Sequence, residues 1–210
     1  MKADKILFID TETGGIDPAI NSLLSLACVV WEEGEIKASR EMLINDGVLN
    51  VTEKALEING IDLDEHKKKA VTPAKAVQEF DSFLQAHFTS DEKITLGGHN
   101  ITFDVNFLNT FLTKNGYNFQ RRFSHRTVDT SSILFYLYLT GKIKRKIVSS
   151  QDAFEYFGIT VEGRHTALGD VIATAELFSK LISILYRDSK GKASPPKGIP
   201  DLFTSQGNVF

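Results

Sequence analysis

Residues 5–15 read Lys-Ile-Leu-Phe-Ile-Asp-Thr-Glu-Thr-Gly-Gly: an apolar run closed by two acids one residue apart and a pair of glycines. A short continuous apolar run that ends at turn residues reads as a fully buried strand. Strand side chains alternate, so Asp10 and Glu12 leave this strand on one face. An acid at the end of a buried strand is costly unless something pairs with it. No Lys or Arg lies nearby in sequence to serve.

Outward from this stretch, 22–45 (SLLSLACVVWEEGEIKASREMLIN) reads as two more strands turned at Glu33-Gly34. Residues 51–60 read as a short helix stopped by Gly60. Residues 72–88 read as a helix with Thr72 as N-cap and Pro73 at its first position. KITLGG, 93–98, is another strand. Residues 100–116 form a helix with Phe103, Phe107, Leu108, Phe111 and Leu112 on one stripe. TVDT, 127–130, is a short strand leading into SSILFYLYL. Residues 148–158 are a capped helix, and 165–186 a long amphipathic one. Strands come first and then alternate with helices, which predicts an α/β layer arrangement on a mixed sheet.

A chain of 210 residues predicts one domain, here 1–186. Residues 187–210 are rich in Ser, Pro, Gly and Lys and read as a flexible tail. Its apolar positions Leu202, Phe203 and Phe210 are candidates for docking on this protein or a partner. With 42% hydrophobic and 24% charged residues the composition is that of a globular protein, not a disordered one. No apolar run approaches the length of a membrane span, and the start of the chain lacks a signal-peptide pattern. The one cysteine, Cys28, lies inside LSLACVVW and reads as a core thiol. A cytoplasmic protein with no membrane partner is the expectation.

Charge is distributed unevenly. Lys114 to Lys146 holds eight Lys/Arg and one acid, Asp129, a local +7 in a chain of net charge −3. A basic segment in an acidic protein suits holding a polyanion at one place, although solvated loop charges would read the same.

Two more acids stand in awkward places: Asp104 at a helix start beside an apolar stripe, and Asp170 near the start of the last helix. Either alone has an ordinary explanation in the helix dipole. Asp10 and Glu12 do not, because like charges that close ionise cheaply only with a cation between them. A carboxylate-only site selects a hard divalent ion such as Mg²⁺ or Mn²⁺. If Asp104 and Asp170 converge there, four carboxylates can hold the two-ion clamp used for attack on phosphodiesters. His165, five residues before Asp170, is a candidate general base for the attacking water.

DTETGG, GHNITFDVNFL and HTALGDVIATAELF together resemble, in order, the three motifs of the DEDD 3′→5′ exonucleases. The histidine five residues before the last acid resembles the DEDDh (DnaQ-like) branch, which includes the proofreading epsilon subunit of bacterial DNA polymerase III. The resemblance spans roughly residues 5–186. It implies a ribonuclease-H-like fold: a five-stranded mixed sheet with helices on both faces. It implies that Asp10 bridges two ions, that Glu12 and Asp170 complete one ion's site, and that Asp104 holds the second. It implies His165 as general base, and Thr13, Gly14, Ile16, Asn100 and Phe103 around the terminal nucleotides. Gly14 stands where the family often has threonine. Asp129 is expected to cap the following helix.

The implied substrate is a single-stranded DNA 3′ end, with RNA trimming as the alternative. A polymerase or a sliding clamp is a further implied partner, the latter through the tail segment IPDLF. A second resemblance competes. ILFIDTET resembles the Asp-x-Asp-x-Thr motif of haloacid-dehalogenase-like phosphatases, and Gly169-Asp170 their later Gly-Asp. That chemistry needs an aspartate where Glu12 stands, and another acid where Ile-Ala-Thr follows Asp170.

Overall fold

The computed structural model describes residues 5–163 and 166–188, the side chains of 185–188 excepted. Five strands form one sheet in the order β3-β2-β1-β4-β5. They are β1 Lys5–Thr13, β2 Leu23–Glu32, β3 Glu35–Leu43, β4 Ile94–Gly98 and β5 Phe123–Asp129. β1, the strand of the opening motif, is central: antiparallel to β2 on one side and parallel to β4 on the other. The β2–β3 hairpin turns where expected. Glu33 and Gly34 have φ of 53° and 89°, the pair of positive values that a two-residue hairpin with the native strand twist requires. β3, at the sheet edge, carries mostly exposed polar residues, which discourages a further strand from adding.

The two faces of β1 bury different helices. Leu7 and Ile9 point into a cluster with Phe80 and Leu84 of α3 (Pro73–His87) and Phe107, Leu108 and Leu112 of α4 (Thr102–Lys114). Ile6 and Phe8 point the other way, onto Ala167, Val171, Ala175 and Phe178 of α8 (Ala167–Asp188). Phe178 sits with its ring centroid 5.2 Å from that of Phe8 and 5.0 Å from that of Trp31. The Trp31 indole N–H donates to Ser179 Oγ at 2.8 Å, which satisfies the polar tip of a buried aromatic. A third cluster joins the far side of α8 to α6 (Thr130–Leu139) and α7 (Ser150–Tyr156) through Leu134, Leu137, Phe154, Leu177 and Leu181.

Thr72, Asp129 and the stop at Gly60 fall where the sequence reading places them. Thr52, Thr72 and Ser149 each accept a backbone N–H at the start of α1 (Glu53–Asn59), α3 and α7, and Gly60 closes α1 in the left-handed region. Asp129 caps α6 by accepting from Ser131 N–H. Two helices have no counterpart in the sequence reading: α2 (Leu63–Lys69), capped by Asp62, and α5 (Phe119–Arg122). Both are of seven residues or fewer, too short for hydrophobic periodicity to declare itself. Phe103 also departs from the predicted stripe. It is 38% exposed, because it lies in the first turn of α4, at the sheet end rather than over it.

α8 runs to Asp188, two residues past the expected domain boundary. The expected tail from 189 onward lies outside the described residues. Among the described residues no helix is long and apolar enough to cross a membrane.

Candidate active site

Parallel pairing to β4 ends at Phe8↔Gly97, and the antiparallel register to β2 slips between Glu12 and Thr13. Asp10 and Glu12 therefore leave the sheet where it opens, and an irregularity of this kind commonly redirects a side chain. They continue the face of Ile6 and Phe8, the face covered by α8. The same packing that buries Ala167 and Val171 brings Asp170 to them. Carboxylate oxygens of Asp10, Glu12 and Asp170 all lie within 4.8 Å of one another, and all three residues are half-buried. Three hard oxygen donors at that separation fit Mg²⁺ or Mn²⁺ and suit a soft metal poorly.

The start of α8 is held tightly. Thr166 Oγ1 accepts from Gly169 N–H at 3.1 Å and donates to Gly163 O at 2.6 Å. A Cβ on Gly169 would lie 2.4 Å from Glu162 O and 2.5 Å from Gly163 O. Only glycine lets segment 162–163 rest on the helix one residue before Asp170. His165 lies outside the described residues.

Asp104 stands apart from the three. It is buried in the first turn of α4, and its Oδ1 accepts the Thr11 hydroxyl at 2.7 Å. Thr11 lies between Asp10 and Glu12 on the strand, and alternation sends it to the α4 face. Burial pushes the Asp104 carboxyl up to about 7; the Thr11 hydrogen bond works against this, and the charge of Asp129 adds to it. The structure thus gathers three of the four expected acids and holds the fourth across the strand through Thr11.

Of the expected substrate residues, Ile16, Asn100 and Phe103 are exposed and Thr13 and Gly14 are buried. Ile16 is 87% exposed. Phe103 packs on Phe107 with centroids 5.0 Å apart and keeps one side open. Asn100 has φ 55°, a left-handed conformation asparagine tolerates. Its N–H donates to Asp129 Oδ1 at 3.0 Å, and its amide oxygen accepts from Ser131 Oγ at 2.9 Å. Asp129 therefore holds Asn100 as well as capping α6. The Thr13 hydroxyl donates to Gly15 O at 2.7 Å, and its carbonyl accepts from the Asn59 amide at 3.2 Å.

Gly14 has a reason that the sequence reading did not supply. Its N–H donates to Ser22 O, its carbonyl accepts from Thr52 N–H, and a Cβ would lie 2.2 Å from Asn50 O. The missing side chain makes room for the chain's own 50–52 segment. Thr11, Asn50 and Asn59 are the positions that sequence reasoning passed over. Thr11 was detectable from strand alternation; the two asparagines carried no local signal.

Of the eight cations of the basic segment, Arg122 is half-buried and the other seven are exposed. The Arg122 guanidinium donates to the carbonyls of Leu84 and Phe88 at the end of α3 and to Glu92 O. Lys114 donates to Ala19 O, and Arg145 pairs with Asp152 at 2.5 Å. Cys28 is fully buried and burial pushes its thiol up to about 12, which removes it as a nucleophile at neutral pH.

A central strand that delivers two acids to the first turn of a packed helix carrying a third fits the metal site of a ribonuclease-H-like phosphodiester hydrolase. The RNase_T family, described as Exonuclease, matches residues 7–178, and the chain belongs to this DnaQ-like exonuclease family. The haloacid-dehalogenase-like reading does not stand beside that match.

Relatives include the 3′-5′ DNA exonuclease Cap18 of Escherichia coli, 26% identical over 193 residues that cover 90% of this chain and 98% of the relative. Ribonuclease T of Wigglesworthia glossinidia brevipalpis is 28% identical over 185 residues, 83% of each chain. The PolC-type DNA polymerase III of Pediococcus pentosaceus is 25% identical over 177 residues, 84% of this chain but only 11% of the polymerase. Among solved structures, Escherichia coli exonuclease I in complex with a dT13 oligonucleotide superimposes with a TM-score of 0.71 at 19% identity, over 88% of this chain and 41% of that one. That likeness is one of fold.

Proposed function

We propose that this protein is a metal-dependent 3′→5′ exonuclease that releases nucleoside 5′-monophosphates from single-stranded DNA ends, in proofreading or repair in the cytoplasm. The observation that carries the proposal is the convergence of Asp10, Glu12 and Asp170 within 4.8 Å. Two divalent cations, Mg²⁺ or Mn²⁺, would supply an activated water and charge stabilisation at the leaving oxygen.

The chain's own residues do the rest. Asp10, Glu12 and Asp170 would hold one ion, and Asp10 with Asp104 the other. His165 takes the proton of the attacking water. Thr13, Gly14 and Asn100 hold the terminal nucleotide, while Ile16 and Phe103 offer apolar surface to its bases. Cap18, a DNA exonuclease similar over nearly its whole length, supports the choice of DNA. Ribonuclease T, similar over 83% of both chains, supports the second reading, in which the enzyme trims RNA. A polymerase or clamp contact is the finer part of the proposal, and it would fall to the tail after Arg187.

A time course decides between them. Matched 5′-labelled single-stranded DNA and RNA oligonucleotides are incubated with Mg²⁺, Mn²⁺ or EDTA, beside a His165→Ala control. The expected result is a ladder that shortens from the 3′ end of DNA, needs the metal, and is lost in the variant. A faster RNA ladder would move the assignment to RNA; no ladder on either strand would overturn it.

A further inference from the structure

α6 is apolar around its whole circumference, yet buries only one side. Leu134 and Leu137 are in the core, while Phe135, Tyr136, Tyr138 and Leu139 are between 37% and 66% exposed. A helix that is apolar all round is normally buried, so an open apolar face marks a partner surface. Its chemistry names the partner. The loop that follows carries exposed Lys144 and Lys146, and the Lys146 ammonium lies 5.7 Å from the centroid of the Phe135 ring. From Thr130 to Gln151 there is no acid, and Asp152, the next one, is already paired with Arg145. Aromatic faces interleaved with cations, on a stretch of chain that holds no acid, complement a polyanion that also has flat rings to stack.

The position fits as well. α6 follows its cap, Asp129, which also holds Asn100, one of the residues proposed for the terminal nucleotide. From Ser131 to Tyr138 the helix advances about 10 Å, so its outer face leads away from the carboxylates.

We propose that the outer face of α6 and the loop after it form a track for single-stranded nucleic acid, holding the nucleotides on the 5′ side of the one being removed. Phe135, Tyr136 and Tyr138 stack bases whatever their sequence, and Lys144 and Lys146 hold the backbone. The track rests on the nuclease reading for the strand's direction, but not for its own existence.

The test uses the full chain in EDTA, so that binding is measured without cleavage. Anisotropy of labelled dT3 and dT12 gives the affinity gained with length. In the wild type dT12 binds more tightly than dT3. In Phe135→Ala/Tyr136→Ala that gain shrinks by at least about five-fold, the smaller end of what losing one stacked base does. In Lys144→Gln/Lys146→Gln, surface changes that leave the core alone, the slope of log K against log[salt] becomes shallower by about 1.4. A length gain and salt slope equal to the wild type in both variants would overturn the track. So would a dimer, seen by sedimentation, that Phe135→Ala/Tyr136→Ala disperses, because the face would then be a self-interface. A wild type that shows the length gain but cleaves no oligonucleotide with Mg²⁺ or Mn²⁺ supports the track and removes the nuclease reading alone.

Discussion

Asp10→Asn tests the metal site by making stability respond in opposite directions with and without the ion. Without a divalent cation, three carboxylates whose oxygens lie within 4.8 Å repel one another. At that distance each pair costs about 0.9 kcal/mol in the dielectric of water and about 3.5 kcal/mol at an effective constant of 20. The amide keeps the shape of the side chain and removes every repulsion that involves position 10. The residues are half-buried and open to water, so the lower figure governs and the expected gain is ~2 kcal/mol. In a chain of this size that raises the melting temperature by about 4–8 °C in EDTA.

Added Mg²⁺ reverses the order. At a concentration about 100 times its dissociation constant an ion bound only by the folded state adds ~2.7 kcal/mol, and the variant loses most of that. Melting curves in EDTA and across a Mg²⁺ and Mn²⁺ titration should therefore cross. Glu12→Gln and Asp170→Asn should behave alike. A variant that melts at or below the wild type in EDTA would refute the repulsion argument. One that keeps the whole Mg²⁺ gain would show that the ions bind elsewhere.

Asp104→Asn gives a pH signature. Its folded-state pKa of about 7 is raised, so the stability it lends is full below the unfolded value near 3.9 and is lost as pH rises through 7. In EDTA, moving from about pH 5.5 to pH 8 should cost the wild type ~2 kcal/mol more than the variant; melts that run parallel would contradict the burial argument. Gly14→Ala places a methyl 2.2 Å from Asn50 O, which is backbone on both sides. A loss of about 1–3 kcal/mol is expected in denaturant titrations, and a neutral result would mean that the 50–52 segment yields freely. Phe178→Ala removes the ring shared by Phe8 and Trp31. It should cost about 3–5 kcal/mol, read as a lower denaturant midpoint, and a loss under about 1 kcal/mol would show that α8 is not held there.

Most of the framework was legible because each signal was local. The run before Asp10 announced a strand, Glu33-Gly34 a hairpin, and Thr72 and Asp129 their caps. α2 and α5 were not, since a helix of two turns or fewer is stabilised by its caps and neighbours rather than by its own pattern. The basic segment was legible as a charge count alone. Its charge count was correct, but charge along a sequence says nothing of which cations fold inward, and Arg122 is spent on the carbonyls at the end of α3.

The site was legible to the extent that it obeys the period of a strand. Alternation alone puts Asp10 and Glu12 together; that Asp170 joins them follows from the apolar positions of α8, since whichever face of the helix buries Val171 and Phe178 sets where Asp170 points. Asp104 belongs to the other layer, and no periodicity in α4 says which end of which strand its first turn meets. Thr11 closes that gap in the structure. It is the residue between the two acids, facing away from them, and its hydroxyl holds the carboxyl of Asp104. The strand thus presents two acids to one layer and a hydrogen-bond donor to the other. A single residue of register slip would turn Thr11 toward Asp170 and both acids toward Asp104. The irregularity after Glu12 and the packing of Gly14 on Asn50 lie directly beyond the motif. They fix the register where an error would exchange the two faces, which is why the backbone there is more constrained than the chemistry of its side chains alone would require.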